Sequence, residues 1–403
     1  MRSVYKKLGL ACIFPCFIMI AAAQNPKPDN GYTKRAKYMF QKVWSLYRVK
    51  QYGLFSEYYP QQHTDTLTYM QDSGVSSKKV SFLWPFSGIF SATNMMMRLP
   101  GGKKQYAVFL DSVINGMEKY RDTSRIPVGY QAYPPEFEKS DRYYDDNGLV
   151  GIDYLEAYKN TGNKLYLQRA KEVFAFILSG WSSTLGGGVT WLEGHIDQKP
   201  ACSNGMATLV ALKLYETTKD PQYLNWGLKF YNWMYDNLRD SAGLYWNDKK
   251  TADSSINKTY WTYNSGSMLE ASVLLYSFTG NKKYIREAQT TAEASYHYFG
   301  KPTKDHHMVI LDMPWFVVVL FRGYEALYLQ DHNAKYINAI IENVDHAWYR
   351  KDLHGLIDRN WYGSTAELSK PKWLLDEACM IEFYARIAIL KNVMAAGRNT
   401  AKK

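Results

Sequence analysis

Two adjacent carboxylates, Asp145 and Asp146, stand where an aromatic loop turns into an apolar run that continues to Tyr158. Breaking a glycosidic bond needs two acids beside it. One donates a proton to the leaving oxygen, while the other meets the positive charge that develops at the anomeric carbon. An isolated Asp pair before a helix more often caps the free backbone N–H groups of the first turn. The surroundings of the pair decide between the two interpretations.

The spacing of the pair is compatible with one mechanism in particular. A retaining mechanism places its two carboxyl groups roughly 5–5.5 Å apart, and an inverting mechanism about 6.5–9.5 Å apart. Neighbouring residues at the start of a helix meet the shorter distance if their side chains diverge, since successive positions point about 100° apart. Two like charges this close also separate their protonation, which leaves one group ionised and the other available as an acid. Position in the sequence leaves open which residue takes which role.

Other residues whose side chains could bind a ligand or a metal are weighed in the same way. His306 and His307 lack a spaced set of further ligands, so a solvated loop is expected there rather than a metal site. The glycines at 186–188 precede no Gly-Lys-Ser/Thr and predict a flexible turn. The pair Glu193 and His195 fits a ligand contact and a solvated loop equally well. Structural roles inside helices are expected for Asp153, Glu156 and Glu270, and a cap or a contact at the rim of the site for Asp376.

A short phrase ending in tyrosine recurs five times along the chain, at intervals of 52 to 61 residues. Each copy stands between two stretches whose apolar residues recur at helical spacing. The repeating unit is therefore predicted to be a helical hairpin with a tight turn. The five tyrosines are Tyr106, Tyr166, Tyr223, Tyr284 and Tyr336.

Helical periodicity predicts twelve helices, with short turns and long loops alternating between them. This alternation places all the long loops on one face. Six hairpins are enough to close a ring, so we predict an all-α fold, an (α/α)6 toroid, with an open solenoid of helix pairs as the competing architecture. No linker divides the chain, which predicts a single domain over 24–403. The predicted helices span 34–49, 84–98, 103–121, 146–160, 164–181, 202–218, 221–239, 263–279, 282–299, 312–330, 333–350 and 374–391.

The face that carries the long loops is the expected place of the functional site, because loops on a rigid scaffold usually build such sites. A shared pocket with converging polar groups and aromatic walls is predicted there. Besides Asp145 and Asp146, the residues expected around it are Tyr144, Asn147, Trp191, Glu193, His195, Lys199, Ser203, Asn204, Trp246, Trp261, Tyr263 and Asn264.

The first residues of the chain have the layout of a cleaved secretory signal: Arg2, Lys6 and Lys7, an apolar segment, and Ala21 to Ala23. Residues 1–23 are therefore predicted to be a signal peptide, and the mature protein to be secreted or periplasmic. Cys16 lies well before the cleavage site, which argues against a lipid-anchored first residue. No later segment has about 18 uninterrupted apolar residues, so no membrane span is expected.

The composition narrows the class of partner. The formal net charge is +11, but it is spread along the chain without a Lys/Arg block, which argues against nucleic acid and leaves anionic ligands open. Aromatic residues make up 16% of the chain, and they either pack against sugar rings or fill a helical core. Cys202 and Cys379 are treated as core residues, although a disulfide between them stays open.

Four motifs in a fixed order resemble glycoside hydrolase family 76, the bacterial endo-α-1,6-mannanases. They are Tyr-Asp-Asp-Asn at 144–147, Gly-Gly-Val-Thr-Trp at 187–191, Lys-Pro-Ala-Cys-Ser-Asn-Gly at 199–205 and Thr-Tyr-Asn-Ser-Gly at 262–266. The resemblance runs from about residue 35 to 390. It implies an (α/α)6 fold, retention of configuration, Asp145 as the nucleophile and Asp146 as the acid/base. It also implies an α-mannan or manno-oligosaccharide substrate, endo action and no cofactor, and a monomer is expected.

The chain departs from the family pattern at Ser265, where Gln is usual, and at Leu192 and Glu193, where Trp-Asn is usual. Two alternatives remain open at this point. One is a non-catalytic, secreted helical glycan-binding protein, which would share the aromatic content and the helical repeats. The other is an (α/α)6 enzyme that acts on an acidic polysaccharide, which the positive charge would suit.

Overall fold

The computed structural model describes residues 31–61, 79–304, 307–363 and 368–400, so the predicted signal segment and His306 lie outside the described residues. Within them, all twelve predicted helices are confirmed. Most ends agree within four residues, and the last helix continues nine residues further. The helices are α1 (Gly31–Leu46), α2 (Leu83–Arg98), α3 (Gly102–Met117), α4 (Tyr144–Thr161), α5 (Lys164–Ser179), α6 (Ala201–Thr218), α7 (Pro221–Leu238), α8 (Thr262–Thr279), α9 (Lys282–Phe299), α10 (Pro314–Asp331), α11 (Lys335–Ala347) and α12 (Leu374–Thr400).

All the described strands lie in the long loops that lead from one hairpin to the next, and these strands were not predicted. The longest group is a three-stranded antiparallel sheet in the order β6-β7-β8. The strands are β1 (Arg48–Val49), β2 (Leu54–Phe55), β3 (Tyr58–Tyr59), β4 (Arg121–Asp122), β5 (Gly129–Tyr130), β6 (Gln198–Pro200), β7 (Trp246–Lys250), β8 (Ile256–Tyr260), β9 (Gly300–Pro302), β10 (Met308–Ile310) and β11 (Lys372–Trp373).

The helices form an inner and an outer ring. Helices α2, α4, α6, α8, α10 and α12 each pack against the next to form the inner ring. The inner helix α2 buries fourteen of its sixteen residues, as expected for a helix enclosed on all sides. The outer helix α9 buries only seven of eighteen, at the spacing of a single face. The inner helix α2 is therefore buried on all its faces, whereas the outer helix α9 is buried along one face only.

The two ends of the chain close the ring. Helix α12 packs against α10 on one side and α2 on the other, and α1 packs on its outer surface. The sixth hairpin is therefore formed by the last and first helices rather than by consecutive ones. Beside this junction, β3 pairs antiparallel with β11. The (α/α)6 toroid is confirmed, and the open solenoid is excluded because the terminal helices of a solenoid do not meet.

The recurring phrase forms the tight turn inside a hairpin. Gly162 ends α4 in the left-handed region with φ 76°, and Asn163 caps α5 by accepting a hydrogen bond from the Leu165 N–H. Gly280 and Asn281 repeat this arrangement between α8 and α9. A left-handed residue followed by an Asn cap reverses the chain within a few residues, because it satisfies free backbone groups at both helix ends. The long loops consequently all fall on the opposite face.

Within the described residues, none of the helices combines the length and hydropathy that a bilayer crossing needs. Two cysteines are described, and both are free thiols. Cys379 is buried in α12 and its thiol donates to the Asp376 carbonyl at 2.9 Å. Cys202 is only half-buried and faces the cavity described below. The expectation that both are core residues is therefore right for Cys379 and wrong for Cys202.

Candidate active site

A cavity of about 620 Å³ opens at the N-terminal ends of the inner helices. Every inner helix contributes residues at or just before its first turn. The positive ends of the helix dipoles therefore surround the cavity and favour negative charge inside it. Aromatic rings dominate its wall: Tyr58, Phe82, Trp84, Tyr143, Trp191, Trp261, Tyr263, Phe316 and Trp373.

Asp145 and Asp146 line this cavity from the first turn of α4. The N-cap of α4 is Tyr143, whose side chain makes no capping hydrogen bond, so neither carboxylate is the cap. The loop before them is held by a backbone bond from the Tyr144 N–H to the Trp191 carbonyl, at 2.9 Å. The pair therefore lies inside the first turn rather than at the N-cap position, although backbone N–H groups of that turn still stabilise the ionised Asp145 carboxylate.

The electrostatic setting of the pair is unusual for buried acids. Within the described residues, neither carboxylate forms an ion pair with Lys, Arg or His. Burial raises the pKa of Asp146 well above its ordinary value, and the charge of Asp145 raises it further. Burial also raises the pKa of Asp145, although nearby donors, including the Trp191 indole, lower it in part. The Trp191 Nε1–H donates to Asp145 Oδ2 at 3.3 Å. The pKa of Asp146 is thus the more strongly raised of the two, so Asp145 is the easier of the pair to ionise.

Four of the other predicted contacts also line the cavity: Trp191, Trp261, Tyr263 and Asn264. Asn264 is 2% exposed, and its Nδ2 has no hydrogen-bond partner among the described atoms. Such an amide is a ready donor to a ligand oxygen. Burial raises the pKa of Tyr263 well above its ordinary value, with the nearby Asp145 charge adding to it, so its hydroxyl stays neutral.

Two predicted contacts are buried asparagines that tie loops to helices instead. Asn147 accepts from the Tyr130 N–H at 2.7 Å and donates to the Tyr130 carbonyl at 2.8 Å. Asn204 likewise accepts from the Val189 N–H at 2.7 Å and donates to the Val189 carbonyl at 2.9 Å. Both side chains are fully buried, and neither lines the cavity. Their predicted role in substrate contact is corrected to one of positioning the loops.

Three further predicted contacts lie away from the cavity wall. The Tyr144 ring stacks on Phe176 with centroids 4.7 Å apart. The Glu193 carboxylate pairs with the fully buried Arg142, whose Nε donates at 2.8 Å. His195 is exposed on the loop surface. Substrate contact by Tyr144, Glu193 and His195 is corrected accordingly.

The remaining loop residues named from the sequence also have structural roles. The Lys199 ammonium is buried and donates to the carbonyl groups of Ser182, at 3.0 Å, and of Gly187. It thereby fixes the Gly-rich turn that leads to Trp191. The Trp246 Nε1–H donates to the Tyr260 hydroxyl at 2.8 Å. Ser203 is fully buried and does not line the cavity. The same holds for Ser265, where the chain differs from the family pattern.

The sequence-based prediction missed a polar wall that the three-stranded sheet presents to the cavity. Asp248 Oδ2 accepts from the side-chain amides of Asn247, at 2.9 Å, and Asn257, at 3.0 Å. The Lys250 ammonium lies 3.3 Å from Asp248 Oδ1 and donates to Gln198 at 2.7 Å. These polar groups line the cavity together with its aromatic rings. Residues 246–260 are mostly polar, with Trp246, Ile256 and Tyr260 as the large apolar exceptions, so the sequence carries little sign of these strands.

Among the described residues, no group of three or more His, Cys, Asp and Glu side chains is placed to hold a metal ion. What the cavity can do chemically follows from its contents. It offers two neighbouring carboxyl groups with unequally raised pKa values, amide donors and flat aromatic faces. That combination suits acid/base and nucleophilic work on a neutral, hydroxyl-rich ligand.

Comparison with known proteins places the chain among carbohydrate-active proteins. The model of glycosyl hydrolase family 76 matches residues 31–396. The mannan endo-1,6-alpha-mannosidase DCW1 of Candida glabrata is 30% identical over 188 residues, which are 41% of this chain and 41% of that protein. Its counterpart in Saccharomyces cerevisiae is 28% identical over 217 residues, 48% of this chain and 47% of that protein. The chain thus spans a little under half the length of these curated relatives.

A solved structure matches over a longer stretch. The family 76 mannosidase Bt3792 of Bacteroides thetaiotaomicron is 27% identical and superposes with a TM-score of 0.81. The match covers 90% of this chain and 99% of that one.

Proposed function

The chain belongs to glycosyl hydrolase family 76, and on that premise we propose that it is a glycoside hydrolase that cleaves α-1,6-mannosidic bonds in mannan backbones. The observation that carries the proposal is the pair Asp145 and Asp146, two carboxyl groups on the wall of one aromatic cavity without a cation beside them. The names of the relatives supply the substrate class, because they are mannan endo-1,6-alpha-mannosidases and a mannosidase.

We propose a retaining mechanism with divided roles. Asp145 attacks the anomeric carbon and forms a glycosyl-enzyme, while Asp146 donates its proton to the departing glycosidic oxygen. Asp146 then takes a proton from water, which attacks the same carbon and releases Asp145. The pKa directions support this division, since Asp146 has the more strongly raised pKa. The Trp191 N–H orients Asp145 and favours its ionised form.

The walls of the cavity suit a neutral polysaccharide. Flat rings such as Trp84, Trp261 and Phe316 offer stacking faces for pyranose rings. The sheet residues Asp248 and Asn257, with Asn264, offer hydrogen-bond partners for hydroxyl groups. Endo action within the backbone is part of the proposal, as are secretion after removal of residues 1–23, a single domain over 24–403 and a monomeric state.

The test is incubation of the purified protein with linear α-1,6-mannan, followed by measurement of new reducing ends and of product size. We expect oligosaccharides of several lengths early in the reaction, as endo cleavage requires. Monosaccharide alone would contradict endo action. Binding of mannan without any product would favour the alternative of a non-catalytic glycan-binding protein.

A further inference from the structure

A smaller pocket of about 190 Å³ adjoins the main cavity at the junction between α12 and the loop that precedes it. The two spaces share three side chains: Tyr58, Arg359 and Trp373. Asp376 and Glu377 line only the smaller space, which we call the side pocket. The two spaces are therefore neighbours, and a group attached to a ligand in the main cavity could reach into the side pocket.

The side pocket contains carboxylate oxygens that the protein leaves unused. Asp376 is 4% exposed and Glu377 is fully buried. Asp376 Oδ1 and Glu377 Oε1 accept no hydrogen bond from the described residues. A buried carboxylate oxygen without a partner is costly, so its retention calls for an explanation. A ligand that donates hydrogen bonds at this place would supply one.

The charges of the side pocket argue for a neutral ligand. The Lys372 ammonium already pairs with Asp358 at 2.8 Å, and both are buried. The Arg359 guanidinium lies 3.4 Å from Asp376 Oδ2. The uncommitted atoms are therefore acceptors rather than cations. They would accept hydrogen bonds from the hydroxyl groups of a ligand.

The volume and the lining residues of the side pocket restrict the class of ligand further. A volume of about 190 Å³ admits one small group rather than a continued chain. Trp373 supplies a flat face, and its ring lies 5.4 Å from that of Trp84, which in turn stacks on Phe316 at 6.0 Å. One row of rings thus runs from the side pocket along the wall of the main cavity. A pyranose ring combines the flat face and the hydroxyl groups that such walls recognise.

We propose that the side pocket binds a single, neutral monosaccharide branch on the mannan backbone, with Asp376 and Glu377 accepting hydrogen bonds from its hydroxyl groups. This inference rests on the proposed function, since it concerns the same substrate. Its consequence is a preference for backbones with one-sugar branches over bare ones at this position.

The test compares kcat/KM on linear α-1,6-mannan with kcat/KM on the same backbone carrying single-mannose branches. Asp376→Leu removes the acceptor oxygens of Asp376 and keeps the same number of side-chain heavy atoms, while Glu377 stays in place. We expect about a tenfold loss of kcat/KM on the branched substrate, as for a lost hydrogen bond to a charged group, and less than about a twofold change on the linear one. Asp236→Asn, on the exposed side of α7, is the control and should change neither. Equal losses on both substrates, or none on either, would overturn the inference.

Two further measurements keep the result decisive. A purely structural Asp376 would lower the melting temperature on substitution, whereas removal of a poorly satisfied buried carboxylate should leave it equal or higher. Binding is measured by calorimetry with linear and branched manno-oligosaccharides, in a protein whose Asp145 and Asp146 are both replaced by Ala. If the wild-type protein hydrolyses neither mannan, the proposed function fails. The binding measurement then decides on the side pocket, and equal affinities or no binding would overturn it.

Discussion

Buried carboxylates occur in two regions of the inner ring, and their surroundings differ in kind. In the middle of the ring, Glu382 accepts from Arg322 at 2.8 and 2.7 Å and from Arg386 at 2.6 Å. Burial by itself would raise the pKa of Glu382, but the charges of the two arginines outweigh it and hold that pKa at about 2. At the ends of the helices, Asp145 and Asp146 are also buried but have no cation, and their pKa values are raised.

The contrast separates carboxylates that hold the ring together from carboxylates that are available for chemistry. Lys213 and Glu270 form a second close pair in the centre, at 2.6 Å. A closed ring of helices brings such charges together across its axis, where each must be paired or neutralised. At the cavity, Asp145 and Asp146 are buried side by side without a cation, and both pKa values are raised. Poorly compensated acids of this kind are typical of catalytic sites.

The largest effect is expected from the unpaired acids. Asp145→Ala and Asp146→Ala should each lower kcat on linear α-1,6-mannan by about 10³-fold or more, because each removes a group that acts in the transition state. The melting temperature should stay equal or rise, since each substitution removes a buried carboxyl group whose ionisation burial makes unfavourable. Steady-state kinetics and thermal denaturation check both points. Near-normal turnover in both variants would remove the dyad from the mechanism.

The paired acids should show the opposite behaviour. Glu382→Ala leaves Arg322 buried without its partner, which typically costs about 3–5 kcal/mol of unfolding free energy. At a temperature where the variant is still folded, its KM for mannan should stay close to the wild-type value, because Glu382 does not line the cavity. Urea denaturation measures the loss of stability. A variant as stable as the wild type would show that the central pairs do not hold the ring.

The two regions should also respond to pH with opposite sign. The pKa of Glu382 is about 2 in the folded protein, below its ordinary value of about 4.3. Its contribution to stability is therefore present above that ordinary value and lost as pH falls toward 2. The pKa of Asp146 is raised on folding, so its contribution is lost as pH rises through the folded pKa.

Asp146→Asn tests that sign, because the neutral side chain cannot titrate. Its gain in unfolding free energy over the wild type should be larger at pH 8 than at pH 4. Urea denaturation at several pH values, with Glu382→Gln as the comparison of opposite sign, measures the difference. A gain that does not change with pH would contradict the raised pKa.

A smaller effect is expected from the donor that orients Asp145, the proposed nucleophile. Trp191→Phe removes the N–H that reaches Asp145 Oδ2 and keeps most of the aromatic ring. We expect kcat to fall about tenfold and the acidic limb of the kcat/KM profile to move to higher pH, because the ionised Asp145 loses a hydrogen bond. A change in KM alone would indicate that Trp191 only packs against the substrate.

The helices and their order could be read from the sequence because they depend on local patterns. The tight turns, such as the one at Gly162 and Asn163, need a left-handed residue and a cap, and both leave a mark in the residue types. Asp145 and Asp146 were recognisable because they are neighbours in the chain and stand on the long-loop side. The pairing of α1 with α12 was not predicted, since it joins the two ends of the chain.

The errors at the site have a common physical cause. Asn147, Asn204 and Glu193 are polar residues next to the cavity, and sequence position does not show which way such a side chain points. Their partners are distant in sequence, as Arg142 is 51 residues from Glu193. Asp248 and Asn257 were missed for the same reason, because only the pairing of β7 with β8 brings them together. A single sequence reveals local pairs and conceals contacts between loops.

The central claim is that Asp145 and Asp146 hydrolyse an α-mannoside with retention of configuration. The direct test is a proton NMR time course of linear α-1,6-mannan with the wild-type protein, read at the anomeric signals before mutarotation. The first reducing ends should carry the α configuration, and the signal should be absent with Asp145→Ala and Asp146→Ala. Initial formation of the β anomer, or no product from the wild-type protein, would contradict the account.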